Sequence, residues 1–233
     1  MTPPRADGGV VRGDRRAAVC VYCSSSNGIS QAYLDLAAEV GAEVARRGYT
    51  LVTGGGSVSM MGAVANAARS GGAHTVGVIP RHLVAMEVAD LAAGELVVVD
   101  TMRERKAEME RRADGFIALP GGIGTLEELF EVWTAGSLGM HAKPVVVLDP
   151  DGFYDPLWRW LEGLVGTGFV RGAAYRNLCR ASTVEEALRA VEAGQPEREP
   201  ADPSVLDGQH GGGGAGGGGL LGRDERLRTG LHG

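Results

Sequence analysis

The stretch Leu119-Pro120-Gly121-Gly122-Ile123-Gly124-Thr125-Leu126-Glu127-Glu128 predicts a turn between a buried strand and a helix. The apolar run 115–119 that leads into it is typical of a parallel strand, and the amphipathic run 125–138 indicates a helix. Its glycines let backbone N–H groups approach a ligand without a Cβ in between. Because free N–H groups and the dipole at a helix N-terminus favour an anion, this stretch predicts a phosphate site.

Two glutamates, Glu127 and Glu128, stand in the first turn of that predicted helix. A carboxylate beside a phosphate is unfavourable by charge, so we expect at least one of them to have another task. The alternative is that both complement the helix dipole and contact no ligand.

Two other stretches stand out. The first, Gly54-Gly55-Gly56-Ser57-Val58-Ser59-Met60-Met61-Gly62, is a second glycine-rich turn after an apolar run. The second, Met102-Arg103-Glu104-Arg105-Lys106-Ala107-Glu108-Met109, begins a helix that leads into the strand before the first turn. A lone glycine triplet is weak evidence for a phosphate loop, but two glycine loops after two strands favour a phosphorylated ligand.

Together the three stretches resemble the signature of the lonely guy family, the cytokinin riboside 5′-monophosphate phosphoribohydrolases. Many members of that family carry the label lysine decarboxylase. The resemblance runs from about residue 17 to residue 192. The chain departs from the family's usual spelling at Ser59 and Met60, where the family has Gly and Leu. Met60 is a mild change, whereas Ser59 leaves open whether the backbone there needs a positive φ.

The resemblance implies hydrolysis of the N-glycosidic bond of an N6-modified adenosine 5′-monophosphate, giving free base and ribose 5-phosphate. It implies that Glu128 is the carboxylate near the anomeric carbon and that Arg105 is the cation or proton donor at the base. Contact with the phosphate is an equally physical use of Arg105. The residues that the resemblance assigns to substrate and phosphate binding are Gly55, Gly56, Met61, Gly62, Glu87, Lys106, Gly121, Gly122, Gly124, Thr125, Glu127 and Thr134. For Glu87 a solvated loop position is the alternative.

Apolar strands and amphipathic helices alternate along the chain, which predicts an α/β, Rossmann-like three-layer fold with a mostly parallel sheet. The predicted strands are 17–23, 49–53, 75–79, 95–99, 115–119 and 144–148, with an edge strand at 177–180; the predicted helices are 31–47, 60–70, 102–112, 125–138, 153–161 and 183–193. An NAD site is disfavoured, because Gly-x-Gly-x-x-Gly is absent from the first strand-to-helix turn.

The polar turn at 24–28 follows the first strand, where an open parallel sheet usually contacts its ligand. Members of the family use this region to contact the nucleotide. A simple turn with a helix cap explains the same residues equally well.

Composition sets the domain organisation. Residues 1–16 and 195–233 are rich in Gly, Pro and charge, which predicts disordered tails around one nucleotide-hydrolase domain at 17–194. The net charge of −6 argues against non-specific nucleic-acid binding. No continuous apolar segment indicates a secretory signal or a membrane span, so we expect a cytoplasmic protein.

Cys20 and Cys23 have the spacing of a redox or metal motif, but a second ligand pair is missing from the sequence. Two buried thiols at the end of an apolar strand are the better interpretation. We therefore expect no metal and no cofactor. A pyridoxal-phosphate decarboxylase is disfavoured, since the single motif lysine, Lys106, does not make a cofactor site.

Trp133, Met140, Trp158 and Trp160 offer more apolar surface than one small domain readily covers. The resemblance implies a homodimer with the active site close to the subunit interface. The alternative is that these side chains fill the core of a monomer, which periodicity does not exclude.

Two other functions stay open. One is a less selective nucleosidase that acts on AMP and other purine 5′-nucleotides. The other is a carrier of a nucleotide or cofactor on the same fold, like the molybdenum-cofactor carriers. The pair of Arg105 and Glu128 favours catalysis over carriage.

Overall fold

Short apolar runs form the strands of a single parallel sheet. The computed structural model describes residues 17–84, 86 and 88–194. Within these ranges the strands are β1 (Ala18–Tyr22), β2 (Thr50–Thr53), β3 (Thr75–Pro80), β4 (Glu95–Val99), β5 (Gly115–Ala118), β6 (Val145–Leu148) and β7 (Leu178–Ala181). All pair in parallel, in the spatial order β4-β3-β2-β1-β5-β6-β7. The predicted parallel sheet is confirmed, and β7 is the predicted edge strand.

Helices connect these strands. They are α1 (Gln31–Arg46), α2 (Ser59–Ser70), α3 (Arg81–Val84), α4 (Met102–Arg112), α5 (Ile123–Leu138), α6 (Asp155–Gly166), α7 (Gly172–Arg176) and α8 (Val184–Ala193). Two of them, α3 and α7, were not predicted, because helices of one turn are too short to show a period. The predicted run 153–161 instead begins at Asp155 and continues to Gly166.

Two hydrophobic clusters cover the two faces of the sheet. One joins the strands to α1, α2 and α8 through residues such as Val40, Met60 and Leu188. The other joins them to α4, α5 and α6, where Met109 and Leu129 are buried. The three-layer α/β/α architecture predicted from the alternation is therefore confirmed.

The strand order reverses between β1 and β5. From β1 the chain builds outward through β2, β3 and β4, and then returns to place β5 on the other side of β1. Parallel sheets bind ligands in the crevice that such a reversal opens at the carboxyl ends of the strands. The residues after Tyr22 and after Ala118 are thus neighbours at this crevice, since those two residues are register partners.

Gly41 lets α1 approach α2 closely. A Cβ at Gly41 would lie 2.2 Å from the carbonyl oxygen of Val64 and 3.0 Å from the backbone nitrogen of Ala68. These are backbone atoms of a neighbouring helix, so only a separation of the two helices could make room. The small residues of α2 therefore serve contact with α1 as well as with the sheet.

Replacing Gly41 by alanine is expected to lower the free energy of unfolding by about 1–3 kcal/mol, because the added methyl overpacks this contact. Urea denaturation measures the change. The matched control is Gly163→Ala on α6, where nothing lies within 4 Å of the added Cβ. That control is expected to raise stability by about 0.5–1 kcal/mol, and equal shifts in the two variants would contradict the packing argument.

The aromatic residues divide between the core and the surface. Trp133 is buried and its indole Nε1 donates a hydrogen bond to the carbonyl oxygen of Ala174, 2.8 Å away. Trp158 is also buried. The expectation that these two tryptophans are displayed on the surface is therefore wrong, because α5 and α6 turn them toward the sheet. Met140 and Trp160 do lie exposed.

Both cysteines of the first strand region are buried, as the sequence predicts. Cys20 and Cys23 belong to opposite hydrophobic clusters, so their side chains lie on different faces of the sheet. No helix among the described residues is long and apolar enough to cross a membrane. The predicted tails, 1–16 and 195–233, lie outside the described residues and stay a prediction.

Candidate active site

A cavity of about 170 Å³ lies at the crevice between β1 and β5. Three segments contribute its walls: the serine loop (residues 24–28) through residues 24–26, the first glycine loop (residues 54–58) through Gly54 together with Met61 of α2, and the second glycine loop (residues 120–122) through Gly122 together with the start of α5. The floor comes from α4. Of the residues named by the sequence, the cavity is lined by Met61, Arg105, Gly122, Gly124, Thr125 and Glu128.

Arg105 is a buried cation held by backbone oxygens. Its Nε donates to the carbonyl oxygen of Val78 at 3.2 Å, and its Nη2 donates to the carbonyl oxygen of Gly54 at 3.1 Å. A Cβ at Gly54 would lie 1.6 Å from Nη2, so only glycine leaves room for the guanidinium. Arg105 thus has a fixed position beneath the ends of β2 and β3.

Glu128 faces Arg105 across the cavity. Its Oε1 lies 3.6 Å from Nη1 of Arg105, and the side chain of Glu128 is 11% exposed. Burial raises the pKa of Glu128 from its ordinary 4.5 to about 7, against the lowering effect of the Arg105 charge and with a smaller raising effect of Glu127. A carboxyl group with a pKa near neutrality is suited to acid–base work at physiological pH.

Two helices present bare N-termini at the cavity. α2 begins after Val58 and α5 after Gly122, and neither N-cap residue makes a side-chain cap hydrogen bond. Ser30, Thr101 and Thr183 cap α1, α4 and α8 with their side-chain oxygens, whereas α6 and α7, which also lack a side-chain cap, begin away from the cavity lining. Uncapped N–H groups and the helix dipoles therefore make this end of the cavity favourable for an anion.

The second glycine loop is closed by a tight contact. A Cβ at Gly121 would lie 2.2 Å from Oγ1 of Thr125, so Gly121 supports the cavity wall without lining the cavity itself. Thr125 is buried and lines the cavity. The loop's glycines therefore serve close packing as well as ligand approach.

Glu127 has the separate task expected for one of the two glutamates. Lys106 of α4 pairs with Glu127 and, at 2.9 Å, with Oε2 of Glu131 one turn further along α5. This pairing ties α4 to α5 and occupies both Lys106 and Glu127. Neither residue lines the cavity.

Other residues assigned by the resemblance lie off the cavity. Gly55, Gly56 and Gly62 shape the first glycine loop, and Gly55 has a φ of 73°. Thr134 is exposed on α5, about 15 Å along the helix axis from Gly124. Glu87 lies outside the described residues.

The structure adds cavity residues that the sequence did not assign. Gly54 leaves room for the guanidinium of Arg105 and lines the cavity. Met109 of α4 lines it as well. Cys23 and residues 24–26 of the serine loop also line it. The sequence offered a signal for the serine loop, a polar turn directly after the first strand, but it did not decide between a ligand contact and a plain turn.

Comparison with known protein families gives a match over most of the folded region. The model of a family described as "Possible lysine decarboxylase" matches residues 61–191.

Curated relatives are similar over nearly the whole described region. The chain is 57% identical over 172 residues to the cytokinin riboside 5′-monophosphate phosphoribohydrolase of Mycobacterium tuberculosis, covering 74% of this chain and 91% of that protein. It is 48% identical over 190 residues to the rice enzyme of the same name, covering 80% of this chain and 78% of that protein. A protein of that name from Arabidopsis thaliana is 44% identical over 181 residues, covering 78% of this chain and 85% of that protein.

Solved structures share the fold. The molybdenum cofactor binding protein of Rippkaea orientalis superposes with a TM-score of 0.60 at 20% identity, covering 77% of this chain and 98% of that one. The molybdenum cofactor carrier protein of Chlamydomonas reinhardtii gives a TM-score of 0.57 at 22% identity, covering 77% and 98%. At such identities the likeness concerns the fold alone.

Proposed function

The chain belongs to the family of cytokinin riboside 5′-monophosphate phosphoribohydrolases, and we propose that it hydrolyses the N-glycosidic bond of N6-modified adenosine 5′-monophosphates. The products are the free base and ribose 5-phosphate. The observation that favours this most is the pair of Glu128 and Arg105, 3.6 Å apart in a cavity beside two uncapped helix N-termini. Such a cavity combines an anion site with a carboxylate for glycosidic chemistry.

The phosphate is proposed to bind where α2 and α5 begin. Backbone N–H groups at these two N-termini can donate to its oxygens, and both dipoles favour its charge. Glu127 lies in the first turn of α5, and its negative charge would repel a phosphate bound there. The ion pair with Lys106 weakens that repulsion. The ribose then extends toward Glu128.

The reaction breaks the bond between C1′ of the ribose and the purine nitrogen. As the base leaves with the bonding electron pair, the ribose acquires oxocarbenium character, and a carboxylate at Glu128 stabilises that positive charge. Glu128 also orients a water molecule, whose oxygen bonds to C1′ and whose proton is released to the carboxylate. A proton taken up by the purine completes the hydrolysis.

Arg105 is proposed to act from a fixed position. Two of its guanidinium nitrogens are held by the carbonyl oxygens of Gly54 and Val78, while Nη1 faces Glu128. That arrangement lowers the energy of the Glu128 carboxylate and leaves a positive charge near the departing base. Preorganised charge of this kind does not have to rearrange during the reaction.

The proposed substrate is tested by incubating the purified protein with isopentenyladenosine monophosphate or with AMP and measuring free base by chromatography. We expect kcat/KM to be at least about 10-fold higher for the isopentenyl nucleotide, the discrimination that a few buried methylenes provide. Equal values would indicate the general purine nucleotide nucleosidase. Tight binding of nucleotide without release of base would indicate a carrier.

The rate is expected to fall as the pH falls below about 7. The pKa of Glu128 is raised to about 7, so lower pH converts the reactive carboxylate to the neutral acid. We expect kcat/KM to drop at least about tenfold for each pH unit in the acid range. Because kcat/KM reports the pKa values of the free enzyme, it is the quantity to measure. A kcat/KM that stays constant from pH 5.5 to pH 8 would contradict the assignment.

We propose that the protein works as a homodimer with the active site close to the subunit interface. The exposed apolar side chains Leu138, Met140 and Trp160 support the dimer, since burying them against a second copy is favourable. Ile123, which is 88% exposed and lines the cavity, supports an interface close to the active site. The cavity volume of about 170 Å³ also lies below the usual range of about 300–1,000 Å³ for small-molecule sites. A second subunit would enlarge and close the site.

Light scattering is expected to give about twice the mass of one chain. Combining Met140→Glu with Trp160→Glu is expected to lower both the mass and the activity, because charges in an apolar interface are poorly solvated. Trp133 is unsuitable for this test, since it is buried within its own chain. A fully active wild-type monomer at assay concentration would contradict the dimer.

We also propose a cytoplasmic location. The protein's three cysteines, Cys20, Cys23 and Cys179, do not form the disulfide framework that is typical of small secreted domains.

A further inference from the structure

Ser59 adopts a backbone conformation that disfavours a side chain. It is the first residue of α2 and has a φ of 51°, in the left-handed region. Within the described ranges it is the one residue other than glycine with a positive φ. The sequence left this question open, and the structure answers it. Contacts around a residue in this conformation must hold it there.

The hydroxyl of Ser59 joins two walls of the cavity. Its Oγ donates a hydrogen bond to the carbonyl oxygen of Ser26, 2.6 Å away, in the serine loop. Ser24 and Ser26 are linked only locally, by the hydrogen bond from the Ser26 N–H to the Ser24 Oγ at 3.1 Å. Among the hydrogen bonds of the described residues, the Ser59 contact is the one that ties residues 25–28 to another element.

The glycine-loop side of this contact is fixed. The Ser57 N–H donates to the carbonyl oxygen of Val88, and the Asp90 N–H donates to the carbonyl oxygen of Gly55, both at 2.8 Å. Asp90 is buried and forms an ion pair with Arg69 of α2 at 2.5 Å. Ser59 therefore extends from an anchored segment toward a loop that is exposed from residue 25 to residue 28.

The serine loop matters because it lines the cavity. Residues 24, 25 and 26 line it together with Gly122, Gly124 and Thr125 from the second glycine loop and the start of α5. An exposed loop without an anchor has many conformations, and a ligand that needs one of them must supply the ordering free energy on binding. A hydrogen bond that orders the loop beforehand removes that cost.

We propose that Ser59 is a positioning residue for substrate binding: its hydroxyl holds the serine loop where that loop lines the cavity. The hydroxyl makes this contact from a left-handed backbone, φ 51°, at residue 59. The identity of the substrate in this proposal rests on the proposed function. The ordering of the serine loop does not depend on it. Ser59 touches no reacting atom, so it acts on binding and leaves the chemical step unchanged.

Two variants separate the hydroxyl from the backbone conformation. Ser59→Ala removes the hydroxyl and keeps a side chain at positive φ, whereas Ser59→Gly removes the hydroxyl and tolerates that φ. We expect KM for isopentenyladenosine monophosphate to rise roughly 3- to 10-fold in both, the loss typical of one hydrogen bond, with kcat changed by less than about two-fold. The melting temperature is expected to be lower for Ser59→Ala than for Ser59→Gly.

Amide hydrogen exchange gives a readout that needs no substrate. Exchange of residues 25–28 is expected to be faster in both variants than in the wild-type protein, because the anchor of the loop is lost. This measurement stands even if the protein cleaves no nucleotide, so it separates a failure of the positioning from a failure of the proposed function. The matched control is Ser70→Ala, since Ser70 is an exposed serine at the other end of α2. This variant is expected to change neither KM nor the exchange of residues 25–28.

Several results would overturn the proposal. Unchanged exchange in residues 25–28 of both variants would show that the hydroxyl does not order the loop. Faster exchange with KM within about two-fold of wild type would show that the order of the loop does not matter for binding. A KM that rises in Ser59→Ala but not in Ser59→Gly would assign the effect to backbone strain alone.

Discussion

Replacing Glu128 by glutamine is expected to lower kcat by at least about 100-fold, because the amide neither carries charge at the oxocarbenium-like centre nor accepts a proton from water. Glutamine keeps the shape of the side chain and an oxygen for Nη1 of Arg105. KM is therefore expected to change much less than kcat. Steady-state kinetics with isopentenyladenosine monophosphate measure both constants.

The same variant is expected to be more stable than the wild-type protein at alkaline pH. The pKa of Glu128 is about 7 in the folded protein, above its ordinary 4.5, so the folded state holds the proton more tightly. Folding stability then falls as the pH rises from about 4.5 to about 7 and stays lower above it. The glutamine variant escapes this loss, on the order of 3 kcal/mol, so its advantage in melting temperature grows between pH 5 and pH 8.

Glu131→Gln is the matched control for Glu128→Gln. Glu131 lies on the same helix, pairs with Lys106 and is 46% exposed. Its replacement is expected to change kcat by less than about two-fold, since an exposed ion pair contributes little. Near-normal turnover by folded Glu128→Gln, or an equal loss in both variants, would remove Glu128 from the mechanism.

Replacing Arg105 by lysine is expected to lower kcat/KM by roughly 100-fold although the positive charge is kept. Lysine has no planar fork, so it cannot hold the carbonyl oxygens of Gly54 and Val78 and at the same time face Glu128. In Arg105→Ala the lowering effect on the pKa of Glu128 is lost as well. The acid limb of the kcat/KM profile is therefore expected to move to higher pH in that variant.

Arg111→Ala on the last turn of α4 is the control for these Arg105 variants. Arg111 is 65% exposed and pairs with Glu108 on its own helix. We expect its kinetic constants to match those of the wild-type protein. If Arg105→Lys retained full activity and the same pH profile, a fixed guanidinium would not be needed.

The layer architecture could be read from the sequence because each strand and most helices have a local signature. The run 115–119 followed by glycines and an amphipathic helix specifies one strand-to-helix unit without reference to the rest of the chain. The small residues of the run 60–70 predict a helix that packs closely on the sheet. They do not reveal the second close contact, with Gly41 of α1, because that residue belongs to another helix.

The site could be predicted only in part. Adjacent glutamates on a helix point about 100° apart, so helical spacing alone does not decide which of Glu127 and Glu128 enters the cavity. The resemblance assigned Glu128 to catalysis and Glu127 to substrate binding, and only Glu128 lines the cavity. Lys106, on another helix, decides this by pairing with Glu127. The guanidinium of Arg105 contacts Gly54, which is 51 positions away in the sequence. No local sequence pattern reveals such a contact.

The sequence pattern predicted the orientation of the aromatic residues least well. Trp133 lies between Val132, which is buried, and Thr134, which is exposed. An error of one position in the predicted buried face of α5 therefore changes Trp133 from a buried residue to an exposed one. Its partner, the carbonyl oxygen of Ala174, belongs to the one-turn helix α7 that the sequence pattern did not predict. A buried indole N–H needs such an acceptor, and only the tertiary structure supplies it.

The most direct measurement supplies the protein with isopentenyladenosine monophosphate and, separately, with isopentenyladenosine, and identifies all products by mass spectrometry. We expect isopentenyladenine and ribose 5-phosphate in equal amounts from the monophosphate, and little release from the riboside, because the uncapped ends of α2 and α5 have no phosphate to bind. Release of isopentenyladenosine and inorganic phosphate, or no product at all, would contradict the proposed cleavage of the N-glycosidic bond.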